Sequence, residues 1–341
     1  MGIRVLRPGL LTSVQDLGRW GWQRYGVIVS GAMDRRSLRT ANLLVGNEEH
    51  LAALEMTLMG PSLHFAQETL IAICGGEMNF TVDGQPISLR RPVYVPPDTK
   101  LVGGATTRGS RAYLAVAGGF DVPAVLDSRS TYLAAGIGGL AGRALQPGDI
   151  LTTGAIEPPL DRAMNELKKS SHNSSPVSPA WYAASSLAPD PMSIVLRIIV
   201  GGQLDWLRPE SQTELFESEF EVTSKSDRMG YRLAGPVLTL DRSEELVSEG
   251  VAMGTVQVPP NGQPIVLMAD CATTGGYPKV AHVASVDLPL LAQATPGAKI
   301  RWRKISVEKS QDLYRASEAY MKKLRLGIAL KFAQLESNHA H

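Results

Sequence analysis

Short apolar runs separated by glycine, proline and small polar residues recur along the chain, and they predict strands more often than helices. Pro264-Ile265-Val266-Leu267-Met268 reads as a buried strand, and Ile194 to Val200 as another, interrupted by Arg197. Asp83-Gly84 and Asn261-Gly262 are hairpin signals. Helical periodicity is confined to a few places. Asp34 to Val45 sets Leu38, Ala41 and Val45 on one face and stops at Gly46-Asn47. Short helical turns are expected after Asp121 and Asp287, each with a proline close behind. Ser306 to about Phe332 predicts an amphipathic helix, with Leu313, Tyr320 and Leu324 on one face.

The pattern breaks between Ile156 and Met192, where "KKSSHNSSPVSPAW" and "SSLAPDPM" disfavour a packed element. The expected organisation is a first β domain over 1–155, a Ser/Pro-rich linker over 156–192, a second β domain over 193–304, and a C-terminal helix and tail over 305–341. The two β segments share an ordered set of matches. "TSVQDLGRWGWQRYG" resembles "TSKSDRMGYRLAG", which pairs Asp16 with Asp227. "LEMTLMGPSLHF" resembles "SEGVAMGTVQVP", with Glu55 against Glu249 and Gly60 against Gly254. "RAYLAVAGGFDVPAVLDS" resembles the segment from Pro264, and Pro-Gly turns follow at Pro147-Gly148 and Pro296-Gly297.

Composition strengthens the β reading. The 341 residues include 33 glycines and 22 prolines, as frequent turns require, and 44% are hydrophobic, enough for a sizeable core. A net charge of +1 with scattered basic residues argues against a nucleic-acid partner. With two cysteines, Cys74 and Cys271, the simpler expectation is a reduced chain. "MGIRVLRPGLLTSVQD" has no long apolar region of the signal-peptide kind, and no run approaches membrane-spanning length, so no membrane association and a cytoplasmic location are expected.

Familiar catalytic motifs are missing: there is no G-x-x-x-x-G-K-[ST], H-E-x-x-H, C-x-x-C or G-x-S-x-G. "GIGGLA" from Gly136 has no following helix to receive a pyrophosphate and reads as a loop. No Ala-Met-Lys-Met segment occurs, so no covalently attached biotin is expected, and no metal ligand set stands out.

Three constellations remain. Ser13 to Asp34 gathers Gln15, Asp16, Arg19, Arg24 and Asp34; its arginines either clamp an anion or pair with the acids to fix a loop. Ser226 to Pro236 alternates Asp227, Arg228, Tyr231 and Arg232 with apolar residues, as either an edge strand or a binding edge would. "ADCATTGGYPK", from Ala269 to Lys279, follows the strand ending at Met268 and packs in far more hydrogen-bonding groups than a turn needs. Gly275 and Gly276 would let a backbone approach a ligand, Thr273 and Thr274 offer hydroxyls, and successive N–H groups could form an anion nest. Lys279 would add positive charge, and Asp270 would be a base or a structural cap. Cys271 lacks a histidine partner, so a nucleophilic role is not expected.

The segments "TSVQDLGRWGWQRYGVIVSGAMD", "ANLLVGN", "LEMTLMGP", "YLAVAGGFDVPAVLDSRST", "SDRMGYRL", "VQVPPNGQPIVLMADCATTGGYPK" and "LAQATPG" together resemble the 5-oxoprolinase C-subunit family. That family is also described as biotin-dependent carboxyltransferase-like, as allophanate hydrolase subunit 2, and as the antagonist of a sporulation-kinase inhibitor. The resemblance covers nearly the whole chain outside the linker and the tail. It implies two pseudo-repeated cyclophilin-like β-barrel halves with few short helices and a C-terminal helix. It also implies two partners, a B subunit of related fold and an A subunit. The implied activity is ATP-dependent opening of 5-oxoproline to L-glutamate, with ATP shared with or bound by the partner.

Under that reading Asp16, Asp270 and Lys279 are the expected catalytic residues. Gln15, Arg19, Asp34, Arg228, Tyr231, Arg232, Gln257, Thr273, Thr274, Gly275, Gly276 and Tyr277 are expected to bind a small amide substrate. Ala272 stands where the family usually has glutamine, which leaves the substrate open. Two other roles fit the same resemblance: a carboxyltransferase component of a urea amidolyase-like system, and a non-catalytic regulatory binding subunit.

Overall fold

The computed structural model describes residues 2–156, 158–171, 175–185, 187–188, 190–242 and 246–337. It is mainly β and forms two compact units. The first comprises Met1–Gly18, Asp34–Ser186 and Ala319–His341, and the second Arg19–Met33 and Leu187–Glu318. The Ser13–Asp34 constellation is therefore divided: Gln15 and Asp16 belong to the first unit, and Arg19 to Met33 to the second.

In the first unit the elements run β1 (Ile3–Arg7), β2 (Leu11–Gln15), α1 (Arg35–Leu44), β3 (Ala53–Thr57), β4 (Ser62–Phe65), β5 (Thr69–Val82), β6 (Gln85–Pro86), β7 (Val93–Val95), β8 (Thr99–Val116), β9 (Ile150–Leu151) and α2 (Pro158–Lys169). They build a curled nine-stranded sheet in the order β2-β3-β8-β4-β1-β9, with β5 pairing β6, β7 and β8. One face closes over an apolar core that includes Val14, Leu54, Met56, Leu114 and Ile73. Strand alternation sends the intervening residues to the other face. There Ser13, Glu55, Tyr113 and Cys74 stand in register across β2, β3, β8 and β5, all buried. Helix α1 packs on β5 and β8 through a face on which Leu38, Ala41 and Leu44 are fully buried. The Asp83-Gly84 turn is the predicted two-residue hairpin: Val82 pairs with Gln85, and both turn residues have positive φ, as a type I′ turn requires.

The segment read as a linker is largely packed. Helix α2 buries Leu160, Ala163, Met164 and Leu167. Lys168 bonds Glu68 at 2.9 Å, and Tyr94 donates to the same carboxylate at 2.7 Å. Val177 bridges Tyr94, and Arg91 donates to the Pro179 carbonyl at 3.1 Å. Scattered apolar residues at helical spacing outweigh the Ser/Pro composition there. No helical turn follows Asp121, where Phe120 instead bridges Thr153.

The second unit contains β10 (Ser193–Val200), α3 (Pro209–Glu217), β11 (Phe220–Val222), β12 (Gly230–Ala234), β13 (Glu249–Gly250), β14 (Thr255–Gln257), β15 (Ile265–Leu267), β16 (Thr274–Gly275), β17 (Lys279–Val283), α4 (Leu288–Ala292) and β18 (Lys299–Lys304). Seven of these strands close a barrel in the order β10-β17-β14-β15-β12-β11-β18 around a core that includes Leu196, Phe220, Val256, Val266 and Ile300. β13 and β16 form a separate two-stranded sheet. β14 and β15 are the hairpin predicted around Asn261-Gly262, but the loop is longer than two residues, because Gln257 pairs with Ile265. The predicted turn after Asp287 is α4, although the Asp287 carboxylate bonds Arg197 rather than capping the helix.

The Pro-Gly turns repeat closely. Gly148 and Gly297 share φ 91°; Gly148 donates to the Val5 carbonyl and Gly297 to the Val222 carbonyl, both at 2.8 Å. The residue-level pairing of acids is not preserved. Glu55 is buried in β3, whereas Glu249 is exposed in β13. Helix α5 (Val307–Ser337) confirms the tail helix, but its buried side carries Met321, Ile328 and Phe332, while Tyr320 is exposed and stacks with Arg36.

Candidate functional site

The second unit concentrates buried polar chemistry at the start of "ADCATTGGYPK". Asp270 follows β15 and is 5% exposed. Arg228, in the turn before β12, grips its carboxylate with two bonds: Nε to Oδ2 at 2.8 Å and Nη2 to Oδ1 at 3.0 Å. The Asp270 N–H returns a bond to the Arg228 carbonyl at 2.8 Å. Ser30 Oγ donates to Asp270 Oδ1 at 2.7 Å, and Arg228 Nη2 also reaches the Gly31 carbonyl at 2.7 Å. Ser30 and Gly31 have φ of 56° and 91°, so two successive left-handed residues bend the chain onto this pair. A buried non-glycine residue in that region is strained and persists only where its surroundings hold it. Sequence reasoning misses Ser30; the only clue to it is the Ser-Gly dipeptide, a turn signal.

The carboxylate of Asp270 thus orients Arg228 and the Ser30-Gly31 turn. Burial, and then the neighbouring Asp270 charge, push the Cys271 thiol up to about 11, which keeps it protonated at neutral pH and agrees with the expectation that it is no nucleophile. Both cysteines are free.

Downstream, Thr274 and Gly275 pair with Gly250 and Glu249 across β13 and β16. Lys279 Nζ bonds Glu249 Oε2 at 2.9 Å and is largely shielded, and the Lys279 N–H donates to Gln203 Oε1 at 3.0 Å. The lysine bond holds the Glu249 carboxyl below its ordinary range. The lysine therefore clips the strand pair to the barrel. Neither Gly275 nor Gly276 has positive φ, so they do not build the alternating conformation of an anion nest. Gly275 is required for space: a Cβ there would fall 2.5 Å from Gln257 Nε2. Gln257 is buried in β14 and lies against this stretch, its amide 3.5 Å from the Tyr277 carbonyl. Thr273 is half-buried, and Thr274 and Tyr277 are exposed.

The other expected residues do different work. Tyr231 is buried in the barrel core, and Arg232 alternates outward to solvent. Asp227 shapes its own turn by accepting from the Met229 and Gly230 N–H groups. In the first unit Asp16 accepts from Gly18 N at 2.7 Å, Ser128 Oγ at 2.7 Å, Arg129 N at 2.5 Å and also Ser130 Oγ. A carboxylate so occupied pins the 128–130 loop and does not stand open as a base. Gln15 is buried and donates to Ser13 Oγ and the Thr131 carbonyl, both at 3.0 Å. Asp34 caps α1 through Ser37 N at 2.9 Å. Its N–H donates to Tyr113 Oη at 2.8 Å, and Tyr113 donates to Glu55 at 2.7 Å. Burial, followed by the Glu55 and Asp34 charges, holds the Tyr113 hydroxyl well above its usual range. Arg19 is buried in the second unit, its N–H bonded to the Val29 carbonyl at 2.8 Å. Among the described residues no group of three or more His, Cys, Asp or Glu is placed to hold a metal. No helix among them is long and apolar enough to cross a membrane.

The model of the carboxyltransferase domain, subdomains A and B, matches residues 25–304, which take in Ser30, Arg228, Asp270 and the whole of the second unit's barrel. The chain belongs to this carboxyltransferase-domain family. The 5-oxoprolinase C subunit of Haemophilus influenzae is 37% identical over 92% of the chain and 94% of its own length. The 5-oxoprolinase C subunit of Escherichia coli is 35% identical over 94% and 97%. In structure, the urea carboxylase of Kluyveromyces lactis superposes with a TM-score of 0.84 at 32% identity over 95% of the chain, which spans only 29% of that longer protein. The carboxyltransferase-domain family thus includes relatives with two different names, and the fold common to them carries the site described above.

Proposed function

We propose that the chain is the C subunit of an ATP-dependent 5-oxoprolinase, opening the lactam of 5-oxoproline to L-glutamate together with the A and B subunits in the cytoplasm. The observation that carries this reading is the match to two proteins named as C subunits of 5-oxoprolinase along nearly their whole length.

The chemistry suits what the second unit offers. A lactam carbonyl is a poor electrophile. Transfer of the γ-phosphoryl group of ATP to its oxygen would make the carbon attackable by water, after which the ring C–N bond breaks and phosphate leaves. Such transfer needs positioning and positive charge more than a covalent nucleophile. Arg228, aligned by Asp270 and tied to the Ser30-Gly31 turn, would supply fixed positive charge, and Gln257 and the Thr273–Tyr277 stretch would border the substrate. ATP would be bound with or by the partner subunits.

A second reading, a carboxyltransferase component acting on a carboxylated biotin carrier, draws on the superposition with urea carboxylase. Two assays separate them. The purified chain, the A and B subunits, ATP and 5-oxoproline should release glutamate. A biotin carboxylase with its biotinylated carrier, bicarbonate, ATP and urea should give no carboxylated urea with this chain. Turnover in the second mixture and none in the first would reverse the assignment. The chain alone should turn over neither substrate.

A further inference from the structure

The largest concavity described on the first unit lies away from every residue expected to bind substrate. It is a groove of about 810 Å³ bordered by β5, β6, the 87–91 segment and Tyr182. That volume lies within the range of small-molecule sites, about 300–1,000 Å³. Its floor is apolar: Met78 and Phe80 are 2% exposed, with Ile87 and Leu89 beside them.

One wall is cationic. Arg90 has φ 59°, a left-handed conformation uncommon for a long side chain. Its N–H is tied to the Ile73 carbonyl at 2.8 Å, and its own carbonyl accepts from Ala183 at 2.9 Å. The strained backbone thus fixes where the side chain emerges. Nε and Nη1 of Arg90 are buried and have no hydrogen-bond partner among the described residues. The neighbouring carboxylate, Glu77 Oε1, is 3.9 Å from Arg90 Nη1, too far for a hydrogen bond, and stands equally far from Arg108 Nη1. A guanidinium has five N–H donors and no acceptor, and desolvating it without acceptors is unfavourable. Glu77 is divided between two arginines, and Arg91 adds a third cation, so the groove keeps a positive excess. Arg91 lies 5.2 Å above the Tyr182 ring, and that ring is 64% exposed. A flat aromatic face therefore stands beside the cationic wall.

We propose that this groove binds a small aromatic anion, a ring bearing a phosphate or a carboxylate. Arg90 receives the anionic group, Tyr182 with Arg91 stacks on the ring, and Met78 and Phe80 cover its apolar edge. The site is separate from the chemistry proposed for the second unit and does not depend on it.

Methyl-selective NMR of the full chain tests this, because Met78, Ile87 and Leu89 all line the groove. The probes are phenyl phosphate, benzoate, inorganic phosphate and neutral benzamide. Phenyl phosphate or benzoate should shift these methyls saturably, and whichever binds more tightly identifies the anionic group. Inorganic phosphate and benzamide should bind more weakly than either. Arg90→Gln should weaken binding of the aromatic anion roughly tenfold to a hundredfold, as expected for a charge-assisted hydrogen bond. Tyr182→Ala, at an exposed position, should weaken it about two- to tenfold. If Arg90→Gln fails to fold, Arg91→Gln combined with Tyr182→Ala decides in its place, with the same expected direction. Absence of shifts at these methyls with both aromatic anions, unchanged affinity in the variants, or benzamide binding as tightly as benzoate would overturn the proposal.

Discussion

Replacing Asp270 with asparagine keeps the shape of the side chain and removes its charge, which makes it a direct probe of the Arg228 pair. Both side chains are less than a tenth exposed, and two donor–acceptor distances of 2.8 and 3.0 Å define a forked contact. Two unit charges about 4 Å apart attract by roughly 4 kcal/mol at an effective dielectric of about 20. Removing one member of a buried pair costs about 3–5 kcal/mol, because the survivor is left charged and desolvated. In Asp270→Asn the amide oxygen still accepts one bond, so a loss of about 3 kcal/mol, at the low end of that range, is expected in the unfolding free energy measured by urea titration. Ser30→Ala removes one bond to a charged group and should cost about 1.5 kcal/mol. The double variant should lose less than the two losses added, because Ser30 acts through the same carboxylate. Arg228→Met with Asp270→Leu removes both charges and should recover most of the single-variant loss. In the reconstituted complex Asp270→Asn should lower turnover without abolishing the basic limb of the pH–rate profile, since the carboxylate positions Arg228 and takes no proton. A stability loss below about 1 kcal/mol, strict additivity with Ser30→Ala, or disappearance of one limb of the profile would refute the reasoning.

Two further outcomes follow from the same unit. Lys279→Ala should leave the melting temperature nearly unchanged while raising amide hydrogen exchange at Thr274 and Gly275, since the lysine clips β13 and β16 through Glu249; unchanged exchange would contradict that role. Burial depresses the pKa of His282 below its ordinary 6.5. The unfolded chain therefore binds the proton first, so stability is fully present above about pH 6.5 and falls as pH drops through the depressed value. His282→Gln should flatten that slope in urea titrations at stepped pH, and an identical slope in the variant would contradict it.

Much of the fold is legible from periodicity and turn chemistry. Asp34 with its apolar i, i+4 neighbours announces α1, and Asp83-Gly84 fixes a hairpin because only a type I′ turn suits both positive φ values. The Ser/Pro-rich stretch misleads, because Leu160, Met164 and Leu167 bury a helix face that composition alone does not reveal. The site is visible as a density of polar residues, while the role of each is not. Tyr231 and Arg232 are neighbours in sequence, yet strand alternation sends one into the core and the other to solvent. Asp16 reads as a base in isolation, but its contacts with Ser128, Arg129 and Ser130, more than a hundred residues away, account for its lone pairs. Long-range pairings of this kind, including that of Ser30 with Asp270, leave no local spacing to read.

The measurement that bears most directly on the central claim is ATP-dependent glutamate formation from 5-oxoproline in a reconstitution with and without this chain. Glutamate and ADP should appear together when the chain is present with the A and B subunits, and both should fall to background when it alone is omitted. Equal glutamate formation without the chain, or none in the complete mixture, would contradict its assignment as a subunit of that enzyme.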